Sequence, residues 1–177
     1  MGLGQTMLTI MALMLMGRII LSINTSTLDV GFTKDMAEYR ITGTSLGTSM
    51  LEQVSALAFD EKTVDTSLTA LQASSLTNSI SLGRDGGETS VNTYDDIDDY
   101  NNYITIDSLE HSAIFQTRVT VSYVAVSGSD IVSTTTKGFS KQVVVNITSD
   151  YLVDYSVSPA RPDTLRFEQI FSYWSFR

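Results

Sequence analysis

Residues 6–23 read TMLTIMALMLMGRIILSI, an apolar run broken by one charge, Arg18. At about 1.5 Å rise per residue, roughly 18 to 20 such residues span the hydrocarbon core of a bilayer. Met7, Met11, Leu13, Met14 and Leu15, followed by Ile19 and Ile20, make such a helix apolar on every side. A helix of that kind needs cover all round, from lipid or from copies of itself. Nothing downstream is long enough to wrap it within one chain. A cation inside the run costs about 2.5 to 3.5 kcal/mol unless it snorkels to the interface or finds a partner. Arg18 sits late enough to snorkel, and a neighbouring subunit is its alternative partner. A secretory signal is the competing reading, but it expects basic residues first and small residues at a cleavage site. The lead-in Met1-Gly2-Leu3-Gly4-Gln5 and the segment Ser22-Ile23-Asn24 offer neither.

The helix is expected to continue beyond the apolar run. No proline occurs before Pro159, and Ile41, Met50, Leu51, Val54, Leu57 and Ala58 recur at helical spacing. Met50, Leu51, Val54 and Leu57 are the expected contacts from helix to sheet. Gly43 and Gly47 form a G-x-x-x-G step, which permits either close backbone approach or local melting. A helix from Leu3 to Phe59 would be roughly 80 Å long. The boundary is placed at Phe59, with a long helix over residues 1–59 and a head over residues 60–177.

Texture changes after Asp60-Glu61. Residues 62–93 are rich in Ser, Thr, Leu and Asn, with a turn signal at Arg84-Asp85-Gly86-Gly87, and read as a long surface loop. Three alternating stretches follow. Phe115, Thr117, Val119, Val121 and Tyr123 share one face. So do Phe139, Lys141, Val143, Val145 and Ile147, and likewise Leu165, Phe167, Gln169, Phe171 and Tyr173. Shorter strands are expected at 103–107 and 151–155, with turns at 128–130 or 134–137. One apolar face implies an antiparallel sheet covered on one side. The amphipathic half of the helix is its natural cover, so the expected class is α+β: a long N-terminal hydrophobic helix and a small antiparallel sheet packed on its C-terminal half.

This pattern resembles the type IV pilin superfamily. The residues that carry the resemblance are Gly4-Gln5 before the apolar run, Ser45 to Val54, Ala58-Phe59-Asp60-Glu61-Lys62, and Tyr94-Asp95-Asp96-Ile97-Asp98-Asp99-Tyr100. The family's basic leader has no counterpart in the lead-in, and Gln5 stands where the family has Glu. The resemblance implies a homopolymer whose N-terminal helices bundle in a filament core. It also implies an inner-membrane stage, a pilus assembly machinery as partner, and a bacterial surface location. On this reading Met7, Met11, Leu13, Met14, Leu15, Arg18, Ile19 and Ile20 form the polymerisation helix. A membrane-anchored monomeric binding module and a minor or secretion-type pseudopilin are the alternatives.

The remaining chemistry is sparse. A net charge of -9, with eleven scattered Lys and Arg, argues against a nucleic-acid surface. Absence of cysteine removes disulfides and thiolate chemistry. Asp95, Asp96, Asp98, Asp99 and Asn101 are the only dense set of hard oxygen ligands, a candidate for Ca²⁺, although their spacing fails the EF-hand pattern. The bland alternative is a solvated turn, or carboxylates that cap backbone or pair with Arg84 or Arg118. His111, the single histidine, is expected to be an ordinary loop residue, and no catalytic constellation or cofactor is expected. The sequons at Asn24 and Asn146 read as coincidental. Phe171, Tyr173, Trp174 and Phe176 are expected in core and subunit contacts.

Overall fold

A computed structural model describes residues 2–108 and 113–176, side chains from 175 on excepted. The chain divides into two compact units, Met1–Tyr39 and Arg40–Arg177.

Helix α1 runs Leu3–Ser55, a few residues short of the expected end at Phe59. It closes with tight turns, Ala56 N–H donating to Gln53 O and Leu57 N–H to Val54 O, each at 3.3 Å. In its Ser- and Thr-rich stretches hydroxyls are satisfied within the helix by bonding back to the preceding turn. Thr27 Oγ1 donates to Ile23 O at 2.9 Å, and Thr44 Oγ1 to Arg40 O at 2.8 Å. Within the first unit every described residue through Asp35 is exposed.

The second unit is a five-stranded antiparallel sheet. Its strands are β1 (Ile104–Ser108), β2 (Ile114–Ser127), β3 (Asp130–Thr134), β4 (Ser140–Asp154) and β5 (Arg161–Ser172). The order is β1-β2-β4-β5, with β3 folded back on β2 as a hairpin. The chain turns at both of the alternative positions, at Gly128, whose φ of +69° suits a residue without Cβ, and between β3 and β4, because β3, a strand not expected from sequence, lies between them. The expected short strand at 103–107 is β1. The one at 151–155 is the far end of β4, beyond a register shift between Thr148 and Val153.

The alternation read from sequence is the alternation of burial. On β2 and β4, Phe115, Val119, Tyr123, Val143, Val145 and Ile147 are fully buried between less buried neighbours, Val124 excepted, whereas on β5 Leu165 and Phe167 are half-buried and Gln169 is exposed. Each large apolar side chain so buried contributes about 1.5 to 3 kcal/mol. Helix α1 lies over this face through Gly43, Gly47, Met50 and Val54, all buried. The glycines are what let it approach. A Cβ on Gly43 would stand 2.7 Å from Leu165 Cδ1, and one on Gly47 would stand 2.4 Å from the Phe167 ring. The G-x-x-x-G step is therefore a helix-to-sheet seat, neither melted nor a helix-to-helix seam.

Residues 62–93 do more than loop over the surface. They hold the end of a short helix, α2 (Glu61–Val64), and several single turns of 3₁₀ helix, and they bury Leu68, Leu76 and Leu82. With Phe59, Ile97 and Tyr100 these leucines complete the cover that α1 starts.

Candidate functional site

Two features of the chain stand outside ordinary core packing: the exposed apolar helix and a buried ionic cluster.

On α1 the residues expected to polymerise are all exposed. Leu13 and Met14 are each 69% accessible, and Met7, Met11, Leu15, Ile19 and Ile20 are similar. Arg18 is exposed too. The window that includes them has mean hydropathy 2.0 and is apolar and long enough to cross a membrane. Signal sequences pass the same test. Of the four expected helix-to-sheet contacts, Met50 and Val54 are buried in the core, and Leu51 and Leu57 are half-buried at its rim.

The acidic segment folds by using its own carboxylates. A single parallel bridge ties it to the end of the helical region, Ala58 N–H donating to Asp95 O at 3.0 Å and Ile97 N–H to Ala58 O at 2.9 Å. Asp96 Oδ1 then accepts from the N–H groups of Asp98 and Asp99 at 2.7 and 3.2 Å. Asp99 Oδ2 accepts from those of Asp95 and Asp96 at 3.0 and 3.2 Å. This is the local preference of Asp for its own backbone, and it starts the 3₁₀ turn Asp98–Tyr100.

The expected calcium ligands do not converge on one point. Asn101 reaches elsewhere, its amide donating to Leu82 O at 2.9 Å and its Oδ1 accepting from Val121 N–H at 3.0 Å. Asp98 turns into the core. Asp95, Asp96 and Asp99 stay together and are joined by Glu61 and Glu88: Glu61, Asp95 and Asp96 bring oxygens within 4.8 Å of one another, as do Glu88, Asp95 and Asp99. His111 lies outside the described residues, as does the side chain of Phe176. Phe171 and Tyr173 are buried, the Tyr173 hydroxyl accepting from Leu68 N–H at 2.7 Å, whereas Trp174 is 45% exposed.

The partner of Asp98 is neither Arg84 nor Arg118 but Lys141 of β4. Lys141 is fully buried, in contact with Asp98 Oδ1, 2.9 Å from Asp60 Oδ2 and 2.7 Å from Phe59 O. Its three N–H donors thus meet three acceptors. The rings of Phe59 and Tyr123 flank the ammonium, at 4.7 and 5.3 Å from their centroids. Asp60 is the hub. Oδ1 accepts from Lys62 N–H at 3.2 Å and Thr77 Oγ1 at 3.0 Å, and the Tyr123 hydroxyl lies 3.1 Å from Oδ2 and 2.8 Å from Thr77 O. Asp60 also caps α2, with Thr63 closing a capping box.

Electrostatics divides the carboxylates. Burial pushes Asp60 up, but the Lys141 charge and the hydrogen bonds it accepts hold it below its ordinary value. Asp98 is pushed up to about 6 by burial and the Asp60 charge, against the pull of Lys141. Asp99 is pushed up to about 7 by burial and a shared hydrogen bond with Glu88. Asp96 is pushed up to about 9 by burial and the neighbouring Asp98 and Asp99 charges. The Tyr123 phenol is driven upward by burial beside Asp60 and Asp98.

Sequence reasoning missed Asp60 and Lys141 as partners. The signal for Lys141 was present, since the period of two puts a cation on the apolar row, where it must find counter-charge. Nothing local identifies the counter-charges, which lie at sequence separations of 81 and 43 residues. Comparison with family models, curated proteins and solved structures returns no match for the chain.

Proposed function

We propose that this chain is a structural subunit of a type IV pilus-like helical filament on the bacterial surface, polymerising through α1. The observation that carries the reading is the apolar girdle of α1, from Leu3 to Val30, whose large side chains are exposed. Such a surface demands lipid or protein cover at about 25 cal/mol per Å² of apolar area. A membrane holds it before assembly, and a bundle of identical helices replaces the lipid afterwards. A head-to-tail contact of that kind does not close, so it propagates into a fibre. Assembly machinery in the inner membrane would move the subunit from one environment to the other. The pattern of an apolar helix followed by an amphipathic extension and a one-sided sheet supports the same reading, and the role is structural rather than catalytic.

The test is negative-stain electron microscopy of material sheared from cells that make the chain. Thin fibres composed of it are expected, and Leu13→Asp or Met14→Asp is expected to abolish them. Fibres of normal length from either variant would sink the proposal. Retention of the wild-type chain in the membrane pellet without fibres would favour an anchored monomer or a pseudopilin.

A further inference from the structure

We propose that Lys141 and Asp98 condense into an intramolecular isopeptide bond, with Asp60 as the carboxylate that relays the proton. The inference rests on the buried cluster alone and is independent of the filament reading.

Three conditions favour amide formation between a lysine and an aspartate. The reacting atoms must be held together, water must be kept out, and a third group must move a proton. The Lys141 ammonium is in direct contact with Asp98 Oδ1, and both residues are immobilised from outside the pair. Lys141 lies on β4, paired on one side with Tyr123 of β2 and on the other with Phe171 of β5. Asp98 opens a 3₁₀ turn whose first N–H is tied to Asp96 at 2.7 Å. Enforced proximity of this kind gives effective molarities of about 10⁵ to 10⁸ M in oriented intramolecular reactions. Water is excluded, since Lys141 and Asp60 are fully buried and Asp98 is 2% exposed. Two aromatic rings close over the ammonium.

The reaction starts when a proton passes from Nζ to the Asp98 carboxylate across their direct contact. The Lys141 amine then adds its lone pair to Cγ of Asp98 and forms the C–N bond. Asp60 Oδ2, at 2.9 Å from Nζ, accepts the proton that nitrogen must lose and returns it to the departing hydroxyl. The C–O bond breaks, one water leaves, and a neutral amide remains beside the regenerated Asp60 carboxylate. No oxidant or cofactor takes part. The Asp60 carboxylate is held in place by bonds from the backbone and hydroxyl of Thr77. The product would join the segment before β1 to β4 covalently, in a chain with no cysteine to make a disulfide.

Intact-mass spectrometry of the detergent-purified, fully denatured wild-type chain tests the bond. The expected mass is lighter by one water. A tryptic digest should contain a branched species joining the peptide with Asp98 to one with Lys141, uncleaved after Lys141. Asp60→Asn keeps both reacting groups and should retain the full mass with an unchanged circular dichroism spectrum. Lys141→Arg should retain it as well. Wild-type protein at full mass with separate peptides, or a water loss mapping elsewhere, overturns the bond. A cross-link persisting in Asp60→Asn overturns the role given to Asp60.

Discussion

Lys141 occupies a position where β4 otherwise carries valine and isoleucine, and the cluster around it decides what a substitution there does. Replacing it by methionine keeps the volume and the flanking rings but leaves Asp60 and Asp98 facing each other in a dry site. Removing one partner of a buried ion pair costs about 3 to 5 kcal/mol, because the opposite charge is stranded. Lys141→Met removes the counter-charge of Asp60 and Asp98 and the proposed amide with it, so stability to urea should fall by at least that amount, and an unchanged midpoint would show that Lys141 carries no structural weight. Asp99 makes the complementary prediction. Its carboxyl titrates near 7 in the fold, well above the ordinary value near 3.8, so the folded state keeps a proton that the unfolded chain has lost. Stability from this group is therefore full at low pH and falls as pH rises toward 7. The thermal midpoint should drop between about pH 4 and pH 7, and Asp99→Asn should make that slope shallower. A variant with the wild-type slope would refute the assignment.

At the scale of elements, the contact of α1 with the sheet depends on what is missing from two side chains. Gly47 presses on the Phe167 ring, so Gly47→Leu must displace either the helix or the ring. Overpacking of this sort costs about 1 to 3 kcal/mol. Gly17→Leu on the exposed stretch of the same helix meets nothing within 4 Å of its Cβ and should leave the sheet unit's urea midpoint unchanged. Equal effects from the two variants would remove the seat from the account. The elements differ in how far they could be read beforehand. The apolar run, the three long strands and their inward rows were legible because periodicity is a local property that burial then enforces. The role of Gly43 and Gly47 was only half legible, since the spacing announces close approach without saying to what. The burial of Leu68, Leu76 and Leu82 was not legible, because irregular chain has no period to betray an inward side.

For the whole molecule, the two compact units predict separable failures. Arg40–Arg177 has its own core, built from β2, β4, the end of α1 and the turns that follow. A charge at Leu13 or Met14 should therefore stop assembly while the sheet unit keeps its urea midpoint, and loss of both together would tie the defect to misfolding. The candidate site was legible only in halves for a related reason. The carboxylate cluster could be seen as a run in sequence, but its division into a buried pair with Lys141 and an outer group around Asp95 is made by strand pairing across the sheet. The β2–β3 hairpin offers a practical opening. Its tip, Ser127 to Asp130, is exposed and turns at a glycine. Because the chain contains no cysteine, Ser129→Cys would carry the molecule's sole thiol. A maleimide dye placed there would mark every copy once, so brightness along a labelled object would count its subunits.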